Sequence, residues 1–135
     1  MATYSGSPQS WGRTRQPKNI AGAHGTEIEV LDHDDEPDGI TATDGGGGYA
    51  TENQRYLHVT VEPSDDGAPD RDIEIWMYSH ATAEWSIFTT INCDAITQRT
   101  TYVIEIYGVD RVAFVRDAGA WGDEPDAFYA ACSTF

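Results

Sequence analysis

The stretch from residue 55 to residue 116 alternates apolar and polar side chains, and that period of two is the strongest constraint on the fold. "RYLHVTVE" at 55–62 puts Leu57, Val59 and Val61 on one face and Tyr56, His58 and Thr60 on the other. "RDIEIWMY" at 71–78 points Ile73, Ile75 and Met77 inward, and "TTYVIEIYG" at 100–108 alternates Tyr102, Ile104 and Ile106 against Val103, Glu105 and Tyr107. "RVAFVR" at 111–116 contributes Val112 and Phe114, and "TEIEVL" at 26–31 alternates around Ile28 and Val30. In "EWSIFTTI" at 84–91 the same reading turns Trp85, Ile87 and Ile91 inward with Phe88 opposite. β-Branched and aromatic residues dominate these runs, as a pleated, half-buried surface favours.

Turn signals separate the runs: Asp38-Gly39, Gly45–Gly48, "EPSDDGAPD" at 62–70, Asn92-Cys93-Asp94, Gly108-Val109-Asp110 and Asp117-Ala118-Gly119. Six strong strands and one or two weaker ones predict an all-β, antiparallel β-sandwich of jelly-roll or immunoglobulin-like order. Gly108-Val109-Asp110 reads as a tight hairpin. Pro125-Asp126 could open a short helix over "DAFYAACS", although Phe128, Ala130 and Cys132 also alternate as a last strand would.

Residues 1–26 break the pattern. They hold Arg13, Arg15 and Lys18 and no acid, a charge of +3, while residues 27–135 carry −18. The expected organisation is an extended basic arm over 1–26, with Tyr4, Trp11 and Ile20 as anchors, followed by a sandwich domain over 27–135. Such an arm suits an acidic neighbour, most simply another subunit, with Trp11, Arg13, Arg15 and Lys18 as the partner-binding residues.

The formal charge of the chain is −15, with 23 acidic residues against seven Arg and a single lysine, Lys18. Salt-rich cytoplasm selects for this bias. At molar salt the Debye length falls to about 3 Å, so self-repulsion is screened, and short hydrated carboxylates avoid the apolar stem that a lysine exposes. No basic stripe is available for nucleic acid. No apolar run reaches the roughly 18 residues that a membrane helix needs, and the first residues lack the apolar middle of a signal peptide.

The densest carboxylates lie in "DHDDEPDG" at 32–39. Asp34, Glu36 and Asp38 occupy alternate positions before Gly39, as in the opening half of a D-x-D-x-D-G calcium loop. The match departs at Glu36, at Pro37 and at the twelfth position, which is Gly45 where a bidentate Glu belongs. The "DEPD" core returns at 123–126, where a solvated surface turn is the simpler reading. Calcium on Asp34, Glu36 and Asp38 is the one cofactor that the pattern offers.

Catalytic patterns are not found. His24, His33, His58 and His80 form no H-x-H or H-E-x-x-H pair, no G-x-S-x-G elbow is present, and Gly45–Gly48 lacks the Lys-Ser/Thr of a phosphate loop. Carboxylates this abundant do not single out a glycosidase pair. Cys93 and Cys132 are too few for a disulfide scaffold; paired they would close a loop of about 40 residues, worth roughly 4 kcal/mol, and buried free thiols fit a β core as well. A non-enzyme is expected. Trp76 and Tyr78, with Tyr56 and Tyr107, fall opposite the aliphatic stripes, as a protein interface or a sugar platform would place them.

A basic unpatterned arm before a small sandwich that ends in "RTTYVIEIYGVDRVAFVRDAG" at 99–119 resembles the small accessory proteins of tailed virions, notably capsid decoration or cement proteins. With its acidic, lysine-poor composition it resembles such a protein from a virus of salt-loving archaea. The resemblance implies a virion structural protein on the capsid surface, made in a high-salt host cytoplasm, with capsid or other virion proteins and its own copies as partners. It transfers no functional residue. The alternative is a carbohydrate- or host-surface-binding module (a turret, collar or tail component) built on Trp76, Tyr78 or Trp121.

Overall fold

The computed structural model describes residues 16–33 and 48–134. Among them are eight strands: β1 Lys18–Asn19, β2 Tyr49–Ala50, β3 Tyr56–Glu62, β4 Ile73–Ser79, β5 Glu84–Ile91, β6 Thr100–Glu105, β7 Arg111–Arg116 and β8 Ala127–Ser133. They form two four-stranded antiparallel sheets in the orders β1-β8-β3-β6 (sheet A) and β2-β7-β4-β5 (sheet B). This is the jelly-roll order, in which consecutive strands alternate between sheets except where β4 and β5 form a hairpin. The sandwich expected from the alternation is present, and of the two orders considered it is the jelly roll.

The aliphatic stripes meet between the sheets. Leu57, Val59 and Val61 of β3 and Ile73 and Ile75 of β4 are fully buried, and Val112 and Phe114 of β7 join them. Each such side chain contributes about 1.5–3 kcal/mol relative to exposure. Phe114 of sheet B and Phe128 of sheet A meet edge to face with centroids 5.0 Å apart, which joins the two layers at the centre.

Three local expectations are corrected, and the alternative left open over 127–133 is decided. Residues 26–31 form no strand. Ile28 N–H bonds the Phe128 carbonyl on sheet A, whereas Leu31 N–H bonds the Phe114 carbonyl on sheet B. The segment therefore changes sheets midway, and its buried residues are Ile28 and Leu31.

In β5 the register against β4 shifts between Ile75 and Trp76. The bulge leaves Phe88 as the extra residue, packed against the core, and turns Ile87 outward at 52% exposure.

Gly108-Val109-Asp110 is no hairpin: it carries the chain from β6 in sheet A to β7 in sheet B. Gly108 has φ +76° and Val109 N–H bonds the Ile106 carbonyl, which closes a β-turn. Residues 127–133 are β8 rather than a helix, with Phe128, Ala130 and Cys132 facing inward.

Of the expected arm, residues 16–26 are described, and they dock on the sandwich. Lys18 and Asn19 pair with Cys132 and Ala131 of β8, and Ile20 packs against the core. Tyr4 lies outside the described residues. Cys93 and Cys132 are both free and buried.

Candidate functional site

The expected calcium ligands Asp34, Glu36 and Asp38 lie outside the described residues, as do Trp11, Arg13 and Arg15. Among the described residues no group of three His, Cys, Asp or Glu could hold a metal ion. Lys18 is described and is engaged within its own domain: Nζ lies 2.9 Å from Glu52 Oε1, and that hydrogen bond raises its pKa. Glu52 sits with Asn53 at φ 55° and 57° in a turn closed by Gln54 N–H on the Thr51 carbonyl. These two positive φ values define a type I′ turn, which here leads from β2 into β3.

Asp32 opens the acidic stretch, and its role is structural. Arg116 ends β7 with its guanidinium inside the sandwich. Nη1 lies 2.7 Å from Asp32 Oδ1, with side-chain exposures of 8% and 67%. Nε donates to the Gly119 carbonyl, and Trp121 lies beside the guanidinium at 5.9 Å. Trp121 is thus packed against Arg116 and the core rather than standing free as a platform.

The second "DEPD" is a surface turn tied down by its main chain. Gly122 N–H donates to both carboxylate oxygens of Asp70 at 3.0 Å, and Asp126 N–H bonds the Glu62 carbonyl. Backbone hydrogen bonds, from Asp123 first and then Gly122, hold the Asp70 carboxyl below its usual range.

The aromatic set named from the sequence is divided between two surfaces. On the outer face of sheet B, Trp76 is half-buried and donates Nε1–H to Glu74 Oε1 at 3.0 Å. Tyr78 meets Trp85 at 5.7 Å and His80 at 5.1 Å, both edge to face, and His80 in turn pairs with Asp110 at 2.9 Å. The alternation of 84–91 turns Trp85 inward. The bulge places it on this outer face, where its ring lies against Gly48.

The outer face of sheet A is different. Tyr56, His58, Thr60, Thr101, Val103 and Tyr129 point outward from β3, β6 and β8, with Val103 59% exposed. Thr60 and Thr101 hydroxyls bond each other at 2.8 Å. Among the described residues, charged groups lie only at the two ends of this face, and there they are paired. Arg99 forks onto Glu62 at 3.1 and 3.3 Å at one end. Arg55 lies 3.5 Å from Glu105 at the other and covers the Tyr107 ring at 4.6 Å.

His58 Nε2 lies 2.8 Å from Ser133 Oγ, the contact of a nucleophile and its base. Ser133 is only 1% exposed, so a substrate carbonyl has no approach to its hydroxyl. Burial also lowers the His58 pKa, which weakens it as a base. The thiols are poor nucleophiles at neutral pH: burial, with the Asp72 charge second, pushes Cys93 up to about 12, and burial pushes Cys132 up to about 11. No described helix is long and apolar enough to cross a membrane.

In comparisons with known proteins, no family model, curated protein or solved structure matches this chain.

Proposed function

We propose that this chain is a virion structural protein, a capsid decoration or cement protein that adds contact area between shell subunits. The observation that carries the reading is the outer face of sheet A. It is a broad surface, uncharged across its middle among the described residues, on a chain whose formal charge is −15. Large neutral faces on acidic proteins serve as contacts, because elsewhere like charges hold other acidic molecules away. The jelly roll is also an architecture on which viral capsid domains are built, which supports the reading at the level of fold analogy. The lysine-poor composition suits a salt-rich host cytoplasm, and attachment over many copies would sum weak contacts into firm binding.

The test is whether the protein sediments with virus particles in high salt and is released when salt is withdrawn. A protein that never accompanies particles at any salt concentration removes the proposal.

A carbohydrate- or host-surface-binding module is the second reading, supported by Trp76, Tyr78, Trp85 and the exposed Ile87 on the outer face of sheet B. It requires glycan binding that Trp76→Ala abolishes. Trp76 fluorescence that no sugar alters counts against it.

A further inference from the structure

We propose that the outer face of sheet A is the self-association surface of this protein, and that its occupant is the same face of a second copy. The two copies would be related by a two-fold axis lying in the interface and running across the strands. The inference deepens the oligomeric part of the proposed function and does not need the particle.

Charge is the first argument. Two copies that each carry −15 repel over most of their surfaces. Among the described residues, sheet A offers a face with no charged side chain between its ends, and the carboxylates at those ends, Glu62 and Glu105, are each matched by an arginine of the same chain. Face-to-face contact there brings no unmatched acid against another.

Shape is the second argument. The Glu62 end is a hollow of about 360 Å³ lined by Asn19, Gly25, Thr60, Glu62, Arg99 and Tyr129. The opposite end is a knob: Tyr107, 64% exposed, with the Arg55 guanidinium stacked on its ring. A two-fold axis across the strands reverses strand direction between the copies. It sets the knob of each copy over the hollow of the other, with Arg55 facing Glu62 and Glu105 facing Arg99. An isologous interface needs this reciprocity.

The strands β3, β8 and β6, of seven, seven and six residues, with the two residues of β1 beside them, span a face of about 350 Å² per copy, so the pair buries on the order of 700 Å². That is below the range of specific, stable interfaces, so the dimer is a weak one and association should be concentration-dependent. Raising the salt should strengthen it, because screening relieves the net repulsion, while exposed Arg–Glu pairs are worth little either way.

The experiment is sedimentation velocity on the full-length protein across a concentration series in low and in molar salt. The wild type is expected to dimerise more tightly in high salt. Val103→Arg, on the edge strand β6, sets two guanidinium groups together on the two-fold axis and should weaken the dimer about tenfold or more, and Tyr107→Ala should weaken it several-fold. Ile87→Arg, on the outer face of the other sheet, should leave it unchanged. Val103, Tyr107 and Ile87 are all exposed, so far-UV circular dichroism of these variants should stay native. For orientation, Tyr107→Cys mixed with Thr60→Cys should form a mixed disulfide-linked dimer faster than either variant alone.

A wild type that stays monomeric in both salts overturns the proposal, as does a dimer lost in Ile87→Arg and kept in Val103→Arg. Cross-linking of Tyr107→Cys only to itself overturns the two-fold arrangement. A dimer through this face without particle binding leaves this inference intact and sinks the virion role; a monomer that binds particles does the reverse.

Discussion

Arg116 and Asp32 stand 84 residues apart in the chain and form an ion pair of 2.7 Å in which the guanidinium is buried and the carboxylate is not. A buried charge left without its partner is costly, whereas removing the charge itself is less so. Asp32→Asn should therefore destabilise the fold by about 1–2 kcal/mol, the solvent contact of Asp32 moderating the loss. Arg116→Met should lose less. Urea unfolding of both variants measures the difference, and equal losses would show that Asp32 does not compensate the guanidinium.

Among the described glycines, Gly48 alone combines a positive φ with atoms closer than 3.0 Å to an added Cβ. A Cβ there would sit 2.5 Å from the Trp85 ring and 2.7 Å from the Val112 carbonyl oxygen, and φ is +78°. Backbone strain and overpacking act together, so Gly48→Ala should cost about 2–4 kcal/mol. Gly108 has nearly the same φ, +76°, with nothing within 4 Å of the added atom. Gly108→Ala should then cost about 1 kcal/mol, the strain alone. A smaller loss at position 48 than at 108 would contradict the close approach of Trp85.

The bulge in β5 exchanges the roles of two neighbours, with Phe88 packed on the core and Ile87 outside. Phe88→Ala should lose about 2–3 kcal/mol and Ile87→Ala less than about 0.5 kcal/mol. Thermal unfolding of the pair separates this arrangement from an unbroken strand, which would reverse the order.

Acid should act through His58. Burial lowers its folded pKa below the ordinary 6.5. As pH falls, the unfolded chain takes up the proton first, so this contribution is complete above about pH 6.5 and is lost below it. His58→Gln should flatten that part of the stability profile; an unchanged acid limb rules the histidine out.

Alkali acts in the opposite sense through Cys93, whose thiol moves from 9.0 to about 12. The unfolded thiol ionises first as pH rises, so this stability is complete below about pH 9 and declines between 9 and 12. Cys93→Ala should lose less on the alkaline side than the wild type does in chemical denaturation at successive pH values.

Much of the fold was legible because alternation is a local property. Leu57, Val59 and Val61 announce a buried stripe without reference to the rest of the chain, as do Tyr102, Ile104 and Ile106. The bulge was not legible: one extra residue flips the parity of a strand, and Ile87 and Phe88 are both apolar, so neither marks itself as the outer one. In residues 26–31 the alternation was present, but hydrogen-bond partners change from Phe128 to Phe114 within three residues. Gly108 signals a turn, and a turn's composition carries no information on whether its flanking strands share a sheet. The pairing of Asp32 with Arg116 is non-local and leaves only one trace, an arginine at an inward position of "RVAFVR". Sheet A's uncharged face could be read residue by residue, but its extent depended on which strands lie side by side.

The place of β8 between β1 and β3 has a consequence for the order of events during synthesis. Lys18 and Asn19 leave the ribosome early and find their ladder only in Ala131 and Cys132. Until residues 127–133 emerge, β3 can pair only with β6, and the apolar sides of Leu57, Val59 and Val61 lack the Phe128 and Ala130 that complete their sheet. Among the described strands, β4 and β5 are the one consecutive pair that forms a hairpin, which a nascent chain can assemble from neighbouring strands. Closure of the sandwich therefore waits until β8 has emerged. A stalled chain ending before Ala127 would present an open sheet edge to any other strand nearby.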